Sequence, residues 1–249
     1  MTSKKIAEKN LIMLGIVGST LHGLNVLGQD DHDEMGICIE PPEYVIGLKQ
    51  FEQHVFRTKP EGIRSEAGDT DRTIYSLRKY VRLALKGNPT VQLLLYHPTP
   101  NPILPPAIEL QRNAWRFISR RAGQAFLGYL VAQKQRLLGE RGQMDIHRPE
   151  LVEKYGYDTK YAMHMLRLGY QGVELLENRL ISLPMREPDR KFIYDVRCGK
   201  HELDTVFTRT GQLEKDIEDL LDTVPSEPDY EWANSYLIRT YLEWWNIYE

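Results

Sequence analysis

The spacing of apolar residues changes character partway along the chain. The first stretch alternates short apolar runs with polar, Gly- and Pro-bearing connections. Residues 11–17, Leu-Ile-Met-Leu-Gly-Ile-Val, form a short apolar run of the kind that fills a buried strand. Residues 35–40 predict a second strand, ended by Pro41-Pro42. Residues 51–57 have strand character, and 70–75 predict a further strand beside the first two. Ser76 is placed to cap a helix running to Lys86, with Leu77, Tyr80, Val81, Ala84 and Leu85 on its buried side. Gly87-Asn88-Pro89 stops that helix. Met1 to Lys5 are expected to lead straight into the first strand.

Residues 98–106 hold five of the fourteen prolines, which marks a stiff connector or a domain boundary. Beyond it the apolar spacing turns helical, and amphipathic helices are predicted near 106–119, 123–138, 157–180, 188–198, 213–224 and 230–247. No internal repeat and no low-complexity tract interrupts the chain.

Composition adds limits. A chain of 249 residues with 41% hydrophobic content builds one large or two small domains with a real core. No apolar run approaches the length of a membrane span, and the N-terminus lacks the apolar core of a signal peptide. Cys38 and Cys198 are too few for a zinc site or a disulfide framework, so they are expected as thiols in a reducing cytoplasm. The net charge of −3 conceals an asymmetry. Residues 111–148 carry eight Lys/Arg against two Asp/Glu, and residues 201–249 carry three against twelve. The basic stretch either faces a polyanion or contacts the acidic one.

The chemistry concentrates after the first strand. Gly18 permits a tight turn and close approach to a phosphate, and Ser19 offers a hydroxyl and an N–H. Asp31 and Asp33 are spaced i, i+2 at the start of the second strand, so both carboxylates project to one face. Convergent carboxylates call for a hard cation, and magnesium is the one that accompanies phosphates. The competing reading is a polar turn through Gly28-Gln29-Asp30-Asp31. His32 alternates with the pair and points the other way, as do Asp30 and Glu34.

Gly18-Ser19 followed by Asp31-His32-Asp33 resembles the signature of the DNA polymerase β nucleotidyltransferase superfamily. The fuller text around it, Gly18-Ser19-Thr20-Leu21-His22-Gly23-Leu24, Asp30 through Ile37, Tyr75-Ser76-Leu77-Arg78-Lys79-Tyr80 and Gly87-Asn88-Pro89-Thr90, is similar to the RNA-repair-pathway, polymerase-β-like family of bacteria and phages. Phe126-Leu127-Gly128-Tyr129 with Gln133 and Arg136, and Asp158-Thr159-Lys160 with His164 and Arg167-Leu168, extend the likeness over most of the chain.

The resemblance implies an α+β fold: a small mixed sheet with flanking helices in a catalytic domain (1–97), then a mostly helical domain (98–249) that closes the nucleotide cleft. It implies a third carboxylate from an adjacent strand, with Asp71 favoured over Asp69. It also implies Mg²⁺ or Mn²⁺ at Asp31, Asp33 and Asp71, and an NTP, ATP or CTP, as substrate. Gly18 and Ser19 would hold the triphosphate, joined by Arg78 or Lys79. Lys160, His164 and Arg167 share one helix face with Gln171 and offer a further phosphate platform. The C-terminal aromatics, Trp232, Tyr236, Tyr241, Trp244, Trp245 and Tyr248, are expected to pack in the core more than to stack on bases.

The expected reaction moves an NMP to an acceptor hydroxyl, an RNA or tRNA end, with release of pyrophosphate. AMP transfer to a protein or small molecule, and a non-catalytic nucleotide sensor, are the alternatives.

Overall fold

The computed structural model describes residues 1–26, 32–60, 68–140 and 148–248. The chain divides into two compact units: Met1–Leu85, Thr90–Phe117 and Asp229–Glu249 form one, and Lys86–Pro89 with Ile118–Pro228 form the other. The architecture is α+β, with strands confined to the first unit among the described residues.

The first unit is built on β1 (Leu11–Ile16), β2 (His32–Cys38), β3 (Gln53–Arg57) and β4 (Thr70–Ser76). Their order across the sheet is β1-β2-β4-β3. β1 lies antiparallel to β2, β2 parallel to β4, and β4 antiparallel to β3. The sheet is therefore mixed. β2 starts three residues before the apolar run at Met35, because His32 N–H bonds the Asp69 carbonyl at 2.7 Å and the strand pairs with β4 from its first residue. Asp33 thereby lies inside the strand instead of in a preceding turn.

A helix, α1 (Ser3–Lys9), precedes β1 where a direct entry into the strand was expected. Thr2 caps it, its hydroxyl accepting from Lys5 N–H at 3.4 Å. Ile6 and Ala7 then bury against Cys38, Tyr44, Phe51 and Ile74 on one face of the sheet. The opposite face carries Asp33 at its start and the buried Met35 and Ile37 further along.

The proline-rich stretch lies within the first unit and runs along the free edge of β1. Asn101 N–H bonds Leu14 C=O at 2.8 Å, Leu14 N–H bonds Pro102 C=O at 3.1 Å, and Leu104 N–H bonds Ile12 C=O at 2.9 Å. A segment short of N–H donors suits an edge, where only alternate groups must pair. After β4 comes α3 (Leu77–Leu85), whose Leu77, Tyr80, Val81, Ala84 and Leu85 are all buried, as their spacing predicts. The short α4 (Pro89–Leu95) and α5 (Pro105–Arg112) follow.

The chain's last helix, Tyr230–Tyr248, returns to the first unit. Four of its aromatics, Trp232, Tyr236, Tyr241 and Trp245, pack inward. Tyr236 and Tyr241 are buried, Trp232 stacks on Tyr236 with centroids 5.2 Å apart, and Phe117 meets Trp232 edge-on at 5.9 Å. Glu40, buried at the end of β2, accepts from Tyr241 O–H at 2.6 Å, and its carbonyl accepts from Trp245 Nε1 at 3.0 Å.

The second unit is helical. α6 (Arg120–Leu137), α7 (Pro149–Tyr155), α9 (Asp189–Arg197) and α10 (Leu203–Leu220) surround α8 (Thr159–Asn178), which packs against α6, α9 and α10. α8 approaches closely because it carries Gly169 and Gly172: a Cβ there would meet Leu213 at 2.9 Å and Ile217 at 2.8 Å. α10 begins ten residues before the expected 213, because Val206 and Thr210 continue the buried stripe of Leu213 and Ile217 at 4, 3, 4 spacing. Thr210 fits a buried position since its hydroxyl donates to the Val206 carbonyl at 2.8 Å.

Candidate active site

The turn at the end of β1 and the first residues of β2 and β4 carry the site. Val17 N–H donates to the Asp33 carbonyl at 2.8 Å, which locks the exit of β1 to the start of β2. Gly18 follows with φ +71°, a conformation that costs any L side chain. A Cβ placed on Gly18 would overlap the Asp33 carboxylate. The Asp33 side chain thus lies directly on the Gly18 backbone. Ser19 is the next residue, half-buried in the single turn of α2 (Gly18–His22).

β2 and β4 run parallel in a register that pairs Asp33 with Asp71. Paired residues of adjacent strands project to the same face, with strands about 4.8 Å apart. Asp33 and Asp71 therefore stand side by side at the start of the sheet. Arg57, paired with Asp71 in the β3–β4 register, reaches the Asp71 carboxylate at 3.9 Å. Asp69 precedes β4 and is mostly buried, with Lys59 Nζ at 3.5 Å.

Asp31 lies outside the described residues. Among the described residues no group of three His, Cys, Asp or Glu side chains is arranged to hold a metal ion. Two carboxylates from adjacent strands, one resting on a bare glycine backbone, nevertheless suit a hard, oxygen-liganded cation. The donor set is compatible with magnesium or manganese, and Asp31 precedes Asp33 by two residues in the sequence.

The opposite face of β2 is occupied otherwise. His32 Nε2 and Glu34 Oε1 are 3.3 Å apart, and Glu34 is ion-paired with Arg72, its neighbour in register. These groups point away from Asp33, as the alternation predicts. His22 is buried at the end of α2.

His97 is a member of the site region that the sequence did not indicate. Its ring lies over Gly15, where a Cβ would come within 2.7 Å of Cδ2. Its Nε2 donates to the Ile16 carbonyl at 2.9 Å, and its Nδ1 accepts from Thr99 N–H at 3.2 Å. Those partners require the neutral Nε2–H tautomer. Burial pushes its pKa down, partly opposed by the bond to the Ile16 carbonyl. His97 braces the last residue of β1, just before Val17 and Gly18.

Arg78 and Lys79 do not join this group. They follow Ser76, the last residue of β4, whereas Asp71 is near its first. Asp71 and Ser76 are five strand positions apart, roughly 16 Å at the usual rise. At that far end Arg78 Nη1 donates to the Val45 carbonyl at 3.4 Å, and its backbone N–H donates to Tyr241 Oη at 3.0 Å. Lys79 and Arg82 pair with Glu52 at 3.4 and 2.6 Å, which holds the Glu52 carboxyl below its usual range against the opposing effect of burial. Both residues tie α3 to its surroundings.

In the second unit, Lys160, His164 and Arg167 share a face of α8, as their spacing predicts, but it is not a plain solvent face. All three are half-buried and Gln171 is buried. Arg167 Nη1 donates to Gln171 Oε1 at 3.2 Å. Burial lowers the Arg167 pKa to about 10. The His164 pKa is pushed well below its usual value, first by burial and then by Arg167, Lys160, Arg148 and Arg197.

The basic stretch meets the acidic one. Within the second unit Lys134 pairs with Glu214 at 3.0 Å, Arg121 with Glu227 at 3.6 Å, and Arg120 with Asp222; within the first, Arg116 pairs with Asp229. These contacts account for four of its eight cations.

A mixed sheet with a Gly-Ser turn against a strand carboxylate, and a second carboxylate in register beside it, defines a nucleotidyltransferase of the polymerase-β kind. The model of the RNA repair pathway DNA polymerase beta family matches residues 2–229, and the chain belongs to that family. It is a nucleotidyltransferase-like enzyme of the polymerase-β type. Among curated proteins no match was found. A solved structure, a nucleotidyltransferase-like protein from Exiguobacterium sibiricum 255-15, is similar over 97% of this chain and 77% of that one, at 14% identity and a TM-score of 0.32. No helix among the described residues is long and apolar enough to cross a membrane.

Proposed function

We propose that the enzyme transfers an NMP, from ATP or CTP, to a hydroxyl at the end of an RNA, a tRNA among the candidates, with release of pyrophosphate. The observation that supports this most is the side-by-side placement of Asp33 and Asp71, with Gly18 bare against the Asp33 carboxylate. Membership of an RNA repair pathway family supports an RNA as the acceptor.

In this reading catalysis belongs to the segment 1–97 and the helical segment 98–249 serves the nucleotide and acceptor. Gly18 lets the triphosphate approach the backbone, and Ser19 offers its hydroxyl and N–H to phosphate oxygens. Asp33 and Asp71, together with Asp31, would hold Mg²⁺ or Mn²⁺. The ion supplies charge neutralisation at the phosphates and a lower pKa for the acceptor hydroxyl. His97 fixes the end of β1, so that the Gly18 turn does not drift. Lys160, His164 and Arg167 are assigned to phosphate. The enzyme acts in the cytoplasm, where its two free thiols stay reduced.

The test is incubation with each labelled NTP, Mg²⁺ or Mn²⁺, and a pool of cellular RNA. Label in RNA that disappears in Asp33→Asn supports the reading. Label in protein or in a small molecule instead moves the acceptor to that class. No incorporation of any NTP under either ion overturns the enzyme's proposed reaction.

A further inference from the structure

The four strands bring one residue each to the same end of the sheet. Their order, β1-β2-β4-β3, sets these in a row: the Gly18 turn after β1, Asp33 of β2, Asp71 of β4 and Arg57 of β3. Asp33 is paired with Asp71, and Asp71 with Arg57, so the three side chains leave the sheet on one face. At about 4.8 Å between strands, the Arg57 backbone lies roughly 10 Å from that of Asp33, beyond Asp71 as seen from the Gly18 turn.

Arg57 is not a packing residue. Its side chain is 46% exposed, and its Nε stands 3.9 Å from Asp71 Oδ1. An exposed pair at that distance adds little stability. Val55, two residues earlier on the same face of β3, is 45% exposed, so the sheet face is accessible beside Arg57.

The row has a direction. With the triphosphate at Gly18 and Ser19, pyrophosphate leaves on the β1 side of the carboxylates. The attacking and leaving oxygens lie roughly in line through the α-phosphorus. The acceptor hydroxyl therefore approaches from the side of β4 and β3, over Asp71 and Arg57. Its oxygen bonds to the α-phosphorus as the bond to the bridging oxygen breaks. Pyrophosphate takes that electron pair, and the hydroxyl proton passes to water. An RNA strand carries a backbone phosphate close to its reacting hydroxyl, and this phosphate is repelled by the carboxylates it approaches. A guanidinium beside Asp71 offsets the repulsion and offers paired N–H groups to phosphate oxygens.

We infer that Arg57 binds a backbone phosphate of the acceptor RNA, next to its reacting hydroxyl. The inference deepens the proposed function and rests on it for the position of the triphosphate. No motif marks Arg57; the register of β3 with β4 brings it to the site.

The experiment has two arms. The first measures binding of a labelled single-stranded oligoribonucleotide with Mg²⁺ and without NTP, so that it needs no turnover. Arg57→Gln should bind about tenfold or more weakly than the wild type. The slope of log affinity against log salt should fall by about 0.7, the value of one phosphate contact on a single strand. Arg57→Lys keeps the charge and should recover part of the affinity. Arg82→Gln removes another exposed cation, paired with Glu52 at 2.6 Å, and should bind nearly as the wild type does. All three should melt as the wild type does, since each alters an exposed side chain.

The second arm measures transfer. In Arg57→Gln the KM for RNA should rise by the same factor while the KM for NTP stays unchanged. No binding of the oligomer by the wild type, or equal binding by the wild type and Arg57→Gln, overturns the inference. So does a rise in the KM for NTP alone, which would put Arg57 on the triphosphate. So does a fall in kcat alone, which would make Arg57 a holder of Asp71. If the wild type binds RNA through Arg57 but transfers nothing to it, the proposed reaction fails and the phosphate contact stands.

Discussion

Asp33 and Asp71 are paired residues on adjacent parallel strands, and their side chains leave the sheet on the same face. They are 38 positions apart in sequence, and only the parallel register of β2 and β4 makes them neighbours. Asp69, two residues before Asp71, lies outside β4 and has Lys59 at 3.5 Å.

This relationship separates the two candidate third carboxylates. Asp33→Asn and Asp71→Asn are expected to reduce NMP transfer by about 100-fold or more, the usual loss when a group that stabilises transition-state charge is removed. Asp69→Asn should retain most activity. Folding should survive in all three, since each change removes a charge without altering volume. Turnover of labelled NTP at saturating magnesium is the measurement. An inactive Asp69→Asn beside an active Asp71→Asn would reverse the assignment.

Gly18→Ala should fail for two reasons at once. Its φ of +71° disfavours any Cβ, and the Cβ would overlap the Asp33 carboxylate. The expected destabilisation is about 1–3 kcal/mol, with activity lost as the carboxylate is displaced. Urea unfolding and the transfer assay together check it. Wild-type activity in this variant would show that the Asp33 carboxylate is free to leave the glycine.

Much of this was legible because strands and helices announce themselves through local spacing. The buried side of α3 reads directly from Leu77, Tyr80, Val81, Ala84 and Leu85. β2 was read three residues short, since His32, Asp33 and Glu34 are polar. They belong to the strand only because β4 pairs with them. Register is a tertiary property, so the sequence favoured Asp71 over Asp69 but could not show which of them stands beside Asp33.

Arg78 and Lys79 illustrate the reverse. Their motif-like text sits near the site in sequence, but a full strand length removes them from it in space. His97 carried no local signal, because the Ile16 carbonyl it holds lies 81 positions earlier in the chain. The charge asymmetry was visible in composition. Its resolution into Lys134–Glu214 and Arg121–Glu227 pairs required the fold of the second unit.

The neutral His97 predicts a pH dependence of stability. Burial depresses its pKa from the ordinary value of about 6.5. The unfolded chain therefore takes up a proton that the folded chain refuses. Stability from this group is complete above about pH 6.5 and is lost as pH falls from there toward the depressed folded-state value. His164 is shifted in the same direction and adds to the slope. His97→Gln keeps an N–H donor for the Ile16 carbonyl and removes the titration. Denaturant midpoints measured from about pH 7.5 down to 5 should fall less steeply in the variant. Parallel slopes would show that His97 is not held neutral.

Lys79 and Arg167 should part company in a kinetic comparison. Lys79 pairs with Glu52 at 3.4 Å at the end of the sheet away from Asp33 and Asp71. Lys79→Met should leave the KM for NTP within about twofold, with at most the small stability loss of a half-exposed ion pair, about 0.2–1 kcal/mol. Arg167 is half-buried beside Gln171, Lys160 and His164, where a phosphate oxygen would meet a poorly hydrated guanidinium. Losing a charge-assisted hydrogen bond in such a place costs about 1.5–3 kcal/mol, roughly 10- to 150-fold in affinity. If the triphosphate is the group bound there, Arg167→Ala raises the KM for NTP by that factor with little change in melting temperature. If an RNA end is bound there instead, the KM for RNA rises and that for NTP does not. A large rise in the NTP KM for Lys79→Met, with none in either KM for Arg167→Ala, would return the phosphate contacts to the first helix after the sheet.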